Sequence, residues 1–127
     1  MIINTPISLG ELMDKISILK IKKKNIKDEK KLNYINEELL LLESTLAKTI
    51  NDKKIGEFLY KLVEINSKLW KIEDDIRDCE RNKKFDNKFI ELARAVYFTN
   101  DQRSAIKLNI NNFFGSKLVE IKSYEKY

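Results

Sequence analysis

The sequence has no histidine, one cysteine, one proline and three glycines. Without histidine the chain has no His-containing zinc site, no Ser/His/Asp triad and no imidazole base. Cys79 alone cannot form an internal disulfide framework. The single proline and the few glycines mark no linker, so we expect residues 1–127 to form one domain.

Long uncharged apolar runs are also missing. No stretch approaches the roughly 18 apolar residues that a membrane span needs, and the first ten residues lack the basic start and apolar segment of a signal peptide. We therefore expect no membrane span and a cytoplasmic location.

Apolar residues recur instead at spacings of three and four, which indicates amphipathic helices. A capping box of Ser8 and Glu11 opens a first helix that runs to about Ile26. Asp28 is placed to cap a second helix that ends near Ile50.

The third helix has the most regular pattern in the chain. It is predicted to begin at Asn51 or Asp52 and to end near Asn82. Its apolar positions form three and a half heptads, a pattern typical of coiled-coil packing. They are Ile55, Phe58, Leu62, Ile65, Leu69, Ile72, Ile76 and Cys79.

A fourth helix is predicted from Asp86. Its apolar phase continues through residues 99–101, so one helix to Phe114 is favoured over two helices with Asn100 as a second cap. Gly115 is the expected left-handed end. The tail, residues 116–127, is apolar enough that we expect it to pack back on the helices. The predicted fold is all-α: a bundle of four long amphipathic helices with coiled-coil-like packing and the C-terminal tail on the bundle.

Some acidic residues fall on apolar faces. The first and third helices each have a second apolar face, and Asp14 and Asp74 lie beside these faces. We expect both carboxylates to be less exposed than usual, and a buried charge must be paired or bind a cation. Glu11 and Asp14, like Asp75 and Asp78, stand one turn apart on a helix, and two such pairs facing each other can hold magnesium. Together with the shielded Asp74, this makes Glu11, Asp14 and Asp74 the candidate metal ligands. No other cofactor is indicated.

Arginine is concentrated in one region, because all four arginines lie between residues 77 and 103. Arg103 occupies an apolar-seam position of the fourth helix, where it needs an acid from a facing helix or an anionic ligand. Glu73 and Glu80 are the expected partners in an internal salt-bridge layer. The alternative is a site for a phosphate or carboxylate ligand. Its candidate residues are Lys15, Arg77, Arg94, Asn100, Arg103 and Tyr124.

Charge is unevenly placed along a chain of net charge +5. Residues 20–31 hold seven lysines, and residues 73–80 hold five carboxylates. Charge runs of this kind are typical of solvated helix faces. Nucleic-acid binding is not favoured, because the lysine run lacks interleaved aromatic residues for stacking.

Four segments carry a family resemblance: GELMDKISIL (10–19), LWKIEDDIRDCE (69–80), ARAVYFTNDQRSAIKLNIN (93–111) and GSKLVEIKSY (115–124). They resemble a family of small all-α proteins of bacteria and their phages, a domain of unknown function, some members of which are associated with surface polysaccharides. Ile121 stands where the family pattern has glutamate. The resemblance implies a shared motif set, composed of Glu11, Asp14, Lys15, Glu73, Asp74, Arg77, Asn100, Asp101, Arg103, Glu120, Lys122 and Tyr124.

The sequence supports two principal interpretations of function. The first is a helical interaction or assembly module, a homodimer or a partner of another protein, because helices with two apolar faces pack on both sides. The second is a binding protein or magnesium-dependent enzyme for a phosphorylated metabolite such as a nucleotide or nucleotide-sugar. No catalytic signature decides whether the chain is an enzyme.

Overall fold

The computed structural model describes residues 1–127 and contains four helices and no strands. Helix α1 spans Leu9–Asn25, α2 spans Glu29–Thr49, α3 spans Lys54–Arg81 and α4 spans Asn87–Phe114. The predicted all-α bundle of four long helices is therefore confirmed. The continuous α4 also confirms one helix, and not two, across residues 99–101.

Local side-chain caps explain where α1, α2 and α4 begin. Ser8, Asp28 and Asp86 each accept a hydrogen bond from a backbone N–H two or three residues further along. Each bond satisfies one of the N–H groups that a helix start leaves free. At the other end of α4, Gly115 has a φ of 70°, the left-handed conformation expected of a terminating glycine.

Helix α1 is the centre of the bundle. It packs against each of the other three helices, whereas α2 packs against α1 alone. Helices α3 and α4 pack against each other as a long hairpin. The main core lies around α1 and comprises Leu12, Met13, Ile16, Leu19, Ile35, Leu39, Leu46, Leu62 and Ile110.

Because α1 is shorter than α3 and α4, the hairpin extends beyond the end of α1. At about 1.5 Å per residue, the 17 residues of α1 span about 25 Å and the 28 residues of α3 about 42 Å. Residues 67–98, which we call the outer hairpin, contain a single buried residue, Cys79. Burial of Cys79 confirms its interpretation as a small apolar packing residue, whereas the other seam residues of the outer hairpin, Leu69, Ile72 and Ile76, are only half-buried.

The C-terminal tail packs back on the bundle as predicted, but its apolar residues, on which the prediction rested, do not make the contact. Ile121 and Tyr124 are exposed. Polar contacts hold the tail instead: Glu120 reaches Lys107, and the Tyr127 hydroxyl donates a hydrogen bond to Asp101. That bond raises the pKa of Tyr127 to about 12, because ionisation would place two negative charges together.

None of the four helices combines the length and the apolar character needed to cross a bilayer.

Candidate functional site

A buried ion pair joins α1 to α4. Arg103 Nε donates to Asp14 Oδ1 at 3.0 Å and Nη2 donates to Oδ2 at 2.5 Å, a bidentate pairing. The Asp14 side chain is 1% exposed and that of Arg103 is 26% exposed. The hydrogen bonds that Arg103 donates to Asp14 raise the pKa of Arg103, although partial burial of the guanidinium acts in the opposite direction. The predicted partners Glu73 and Glu80 were wrong, because the acid that faces Arg103 comes from α1 and not from α3.

Two uncharged side chains complete the surroundings of Asp14. Asn66 Nδ2 donates to Asp14 Oδ1 and to Ser17 Oγ, both at 2.8 Å. Ser17 in turn donates to the backbone carbonyl of Asp14 at 2.7 Å. A carboxylate accepts hydrogen bonds only, so this network fixes the orientation of the Asn66 amide. The burial expected for Asp14 is confirmed, and its charge is fully partnered.

A second cation lies one turn further along α4. Lys107 Nζ is 2.7 Å from Glu11 Oε2 and 3.0 Å from Glu120 Oε2. Burial opposes the charge of Lys107, whose side chain is 8% exposed, yet its hydrogen bonds to the two glutamates raise its pKa overall. The hydrogen bonds from Lys122 and Lys107 lower the pKa of Glu120 to about 2. The tail is thereby attached electrostatically to the α1–α4 contact.

Close approach of α1 to α4 depends on Gly10. Its backbone N–H donates to Asn111 Oδ1 at 2.7 Å. A Cβ at this position would lie 2.6 Å from the carbonyl oxygen of Lys107, a backbone atom that cannot turn aside. Arg103, Lys107 and Asn111 therefore form one column at spacings of four, aligned on the start of α1. That spacing was present in the sequence and could have identified Lys107 and Asn111 beside Arg103.

A cleft of about 580 Å³ opens beside the ion pair, between α1, α3 and α4. Its apolar wall brings together the second apolar faces of α1 and α3, through Ile18, Ile21 and Trp70, and adds Tyr97 from α4. The polar lining comprises Asn66, Glu73, Asp74, Arg77, Asn100 and Arg103. The two anomalies found in the sequence, extra apolar faces and misplaced polar residues, therefore lie at one place.

The structure gathers some of the predicted anion-binding residues and separates others. Arg77, Asn100 and Arg103 line the cleft. Lys15 is exposed at 3.9 Å from Glu11, and Arg94 lies 5.7 Å from the ring of Phe98. Tyr124 is also outside, exposed in the tail against Lys122. The six candidates therefore do not form one site.

The predicted metal ligands are also divided. Glu11 and Asp14 face the cations Lys107 and Arg103, so their oxygens already have partners. The expectation that Asp74 is shielded was wrong: it is exposed, because it lies on the outer hairpin where cover from α1 ends. No group of three or more acidic or cysteine side chains is placed to hold a metal ion.

Comparison of the chain with protein-family models, with curated proteins and with solved structures finds no match in any of the three. The resemblance to the bacterial and phage family therefore stays a prediction from the four sequence segments.

Proposed function

We propose that the chain is a helical assembly module that forms a homo-oligomer, a dimer in its simplest form, through the outer hairpin. The observation that carries this proposal is the near absence of buried residues between positions 67 and 98. This stretch includes the second half of the heptad seam, which is coiled-coil-like in sequence and in the monomer packs against α4 alone. Apolar seams of this kind are stabilised by a further helix.

Exposed apolar side chains support the same surface. Phe85 and Ile90 are 54% and 53% exposed at the end of the hairpin, and Tyr97 is 43% exposed. Ile90 and Tyr97 are seven positions apart and share one face of α4, and exposed apolar surface of this kind is typical of interaction sites. Covering these side chains with a second copy would remove them from water, at a gain of about 25 cal/mol for each Å² buried.

Charge complementarity favours a second copy of this chain as the partner. The acids of the outer hairpin make ion pairs only with residues three or four positions away in sequence, such as Glu73 with Arg77 and Asp75 with Lys71. In the lysine run, Lys20 pairs with Glu43, while the other six lysines form no ion pair. Two copies can therefore bring the unpaired lysines of one to the acids of the other, which fixes register and orientation more than affinity.

The test is the molar mass in solution by light scattering and by sedimentation, at tens of micromolar and at low and high salt. We expect a dimer whose dissociation increases with salt. Ile90→Glu should give a monomer, because a charge would be buried at the interface. Leu40→Glu is the matched control: Leu40 is 71% exposed on α2, so the dimer should persist. A monomeric wild-type chain, or equal effects of the two variants, would overturn the proposal.

Binding of a phosphorylated metabolite receives less support, because each of its three arginines already has a partner. Arg103 pairs with Asp14, Arg77 with Glu73, and Arg94 lies over the Phe98 ring. A thermal-shift panel of nucleotides and sugar phosphates, with and without magnesium, separates the two functions. We expect no shift from the panel.

A further inference from the structure

One buried amide beside the cleft has an unused hydrogen-bonding atom. Asn66 is 5% exposed and gives its Nδ2 to Asp14 and Ser17. Its carbonyl oxygen Oδ1 accepts no hydrogen bond within the chain. Since no fully buried polar side-chain atom lacks a partner, Oδ1 reaches the cleft that Asn66 lines. An acceptor held this rigidly is suited to a ligand that donates a hydrogen bond.

The charges of the cleft favour a cation over an anion. Arg103 is neutralised by Asp14, and Arg77 Nε lies 3.5 Å from Glu73. Asp74 lines the same cleft and takes part in no ion pair or hydrogen bond. Among the uncommitted groups that α3 brings to the cleft, two accept hydrogen bonds, the Asn66 amide oxygen and the Asp74 carboxylate, and one donates, the Trp70 indole N–H.

The spacing of these acceptors indicates the shape of the ligand. Asn66, Trp70 and Asp74 follow one another at intervals of four on α3, so they form a column along the cleft. Trp70 provides an apolar surface between the two acceptors, and Tyr97 adds a second aromatic ring from α4. Aromatic faces attract ammonium groups as well as apolar chains. The ligand therefore has polar donors at its two ends and an apolar middle.

We propose that this cleft binds an extended organic cation of the diamine or amino-alcohol class. An ammonium group pairs with Asp74 at the mouth of the cleft, and a second N–H or O–H donor meets Asn66 Oδ1 inside. The methylene chain lies against Trp70. This site shares Trp70, Asp74 and Tyr97 with the outer hairpin, so the ligand and a second copy of the chain compete for part of the same surface.

The fluorescence of Trp70, the only tryptophan of the chain, reports on the cleft directly. We would titrate the wild-type chain with 1,6-diaminohexane, 6-amino-1-hexanol, 1,6-hexanediol and adipate, four linear probes that differ in end groups. The two amines should bind, the diol should bind about tenfold more weakly because it lacks charge-assisted bonds, and adipate should not bind.

Substitution at the cleft mouth provides the matched comparison. Asp74→Asn should weaken 1,6-diaminohexane about fivefold to tenfold while leaving the diol unchanged, because only the charged bond is lost. Asp75→Asn, next in sequence but outside the cleft, should change neither. The amines should bind the monomeric Ile90→Glu variant at least as tightly as the wild type, because no second copy covers its cleft, and this result separates the site from the interface between copies. Three outcomes would overturn the proposal: adipate binds more tightly than 1,6-diaminohexane, no probe changes the Trp70 fluorescence, or Asp74→Asn binds 1,6-diaminohexane as tightly as the wild type does.

Discussion

Replacing Arg103 with methionine removes the partner of a carboxylate that cannot reach water. Asp14 is 1% exposed in the folded chain, and Asn66 can offer it only uncharged hydrogen bonds. Breaking a buried pair by removing one member typically costs about 3–5 kcal/mol. Lys107, whose Nζ lies 3.9 Å from Asp14 Oδ2, offsets part of the loss, so we expect about 3 kcal/mol.

The two members of the pair should behave unequally. In Asp14→Asn the guanidinium of Arg103 loses its partner but is 26% exposed, so it can be solvated from the cleft. We expect a cost of about 1–2 kcal/mol for this variant, which is below that of Arg103→Met. The double variant leaves no unpaired charge, so the two effects should not add, and the coupling energy should be at least about 1 kcal/mol.

Urea unfolding, followed by the circular dichroism of the helices, gives the free energy of unfolding of the wild type, the two single variants and the double variant. Arg94→Met is the control on the same helix, since Arg94 is exposed and touches only an aromatic ring, and it should cost about 0.5–1 kcal/mol. The reasoning fails if Arg103→Met is as stable as Arg94→Met, or if the effects of the single Asp14 and Arg103 variants simply add.

Two further predictions concern stability. Gly10→Ala should destabilise the chain by about 1–3 kcal/mol, because the new Cβ meets the Lys107 carbonyl oxygen, whereas Gly56→Ala, with nothing within 4 Å, should stabilise α3 by up to about 1 kcal/mol. The same urea assay checks both variants. If both substitutions changed the free energy of unfolding in the same direction, the close approach of α1 and α4 would be contradicted. Glu120 has a folded pKa of about 2 against a usual 4.5, so its contribution is present above pH 4.5 and is lost as the pH falls towards 2. Glu120→Gln should therefore be less stable than the wild type at pH 7, by under about 1 kcal/mol because the side chain is 38% exposed, with the difference vanishing near pH 2. A difference that does not change with pH would exclude this linkage.

Local interactions made most of the fold readable from the sequence. The caps at Ser8, Asp28 and Asp86 and the end at Gly115 involve residues at most a few positions apart, so their chemistry is visible in the order of amino acids. The unbroken apolar phase through residues 99–101 likewise gave the single long α4. Periodicity also found the polar positions that interrupt apolar faces, including Asp14 and Arg103.

Which of those polar residues meet was decided by tertiary packing alone. Asp14 and Arg103 are 89 positions apart, and several acids on α3 had suitable spacing to face the arginine. The choice followed from the close contact of α1 with α4, which Gly10 permits and the column of Arg103, Lys107 and Asn111 completes.

The sequence by itself determined four helices, their approximate bounds, the side-chain caps of three of them and the apolar faces on which unusual polar residues stand, because periodicity and capping both act over a few residues. Only the tertiary structure decided that Asp14 is buried and Asp74 exposed, although both stand beside similar second apolar faces. The physical reason is length: α1 covers the inner part of the α3–α4 hairpin and ends before the outer part, so identical patterns become core in one half and free surface in the other.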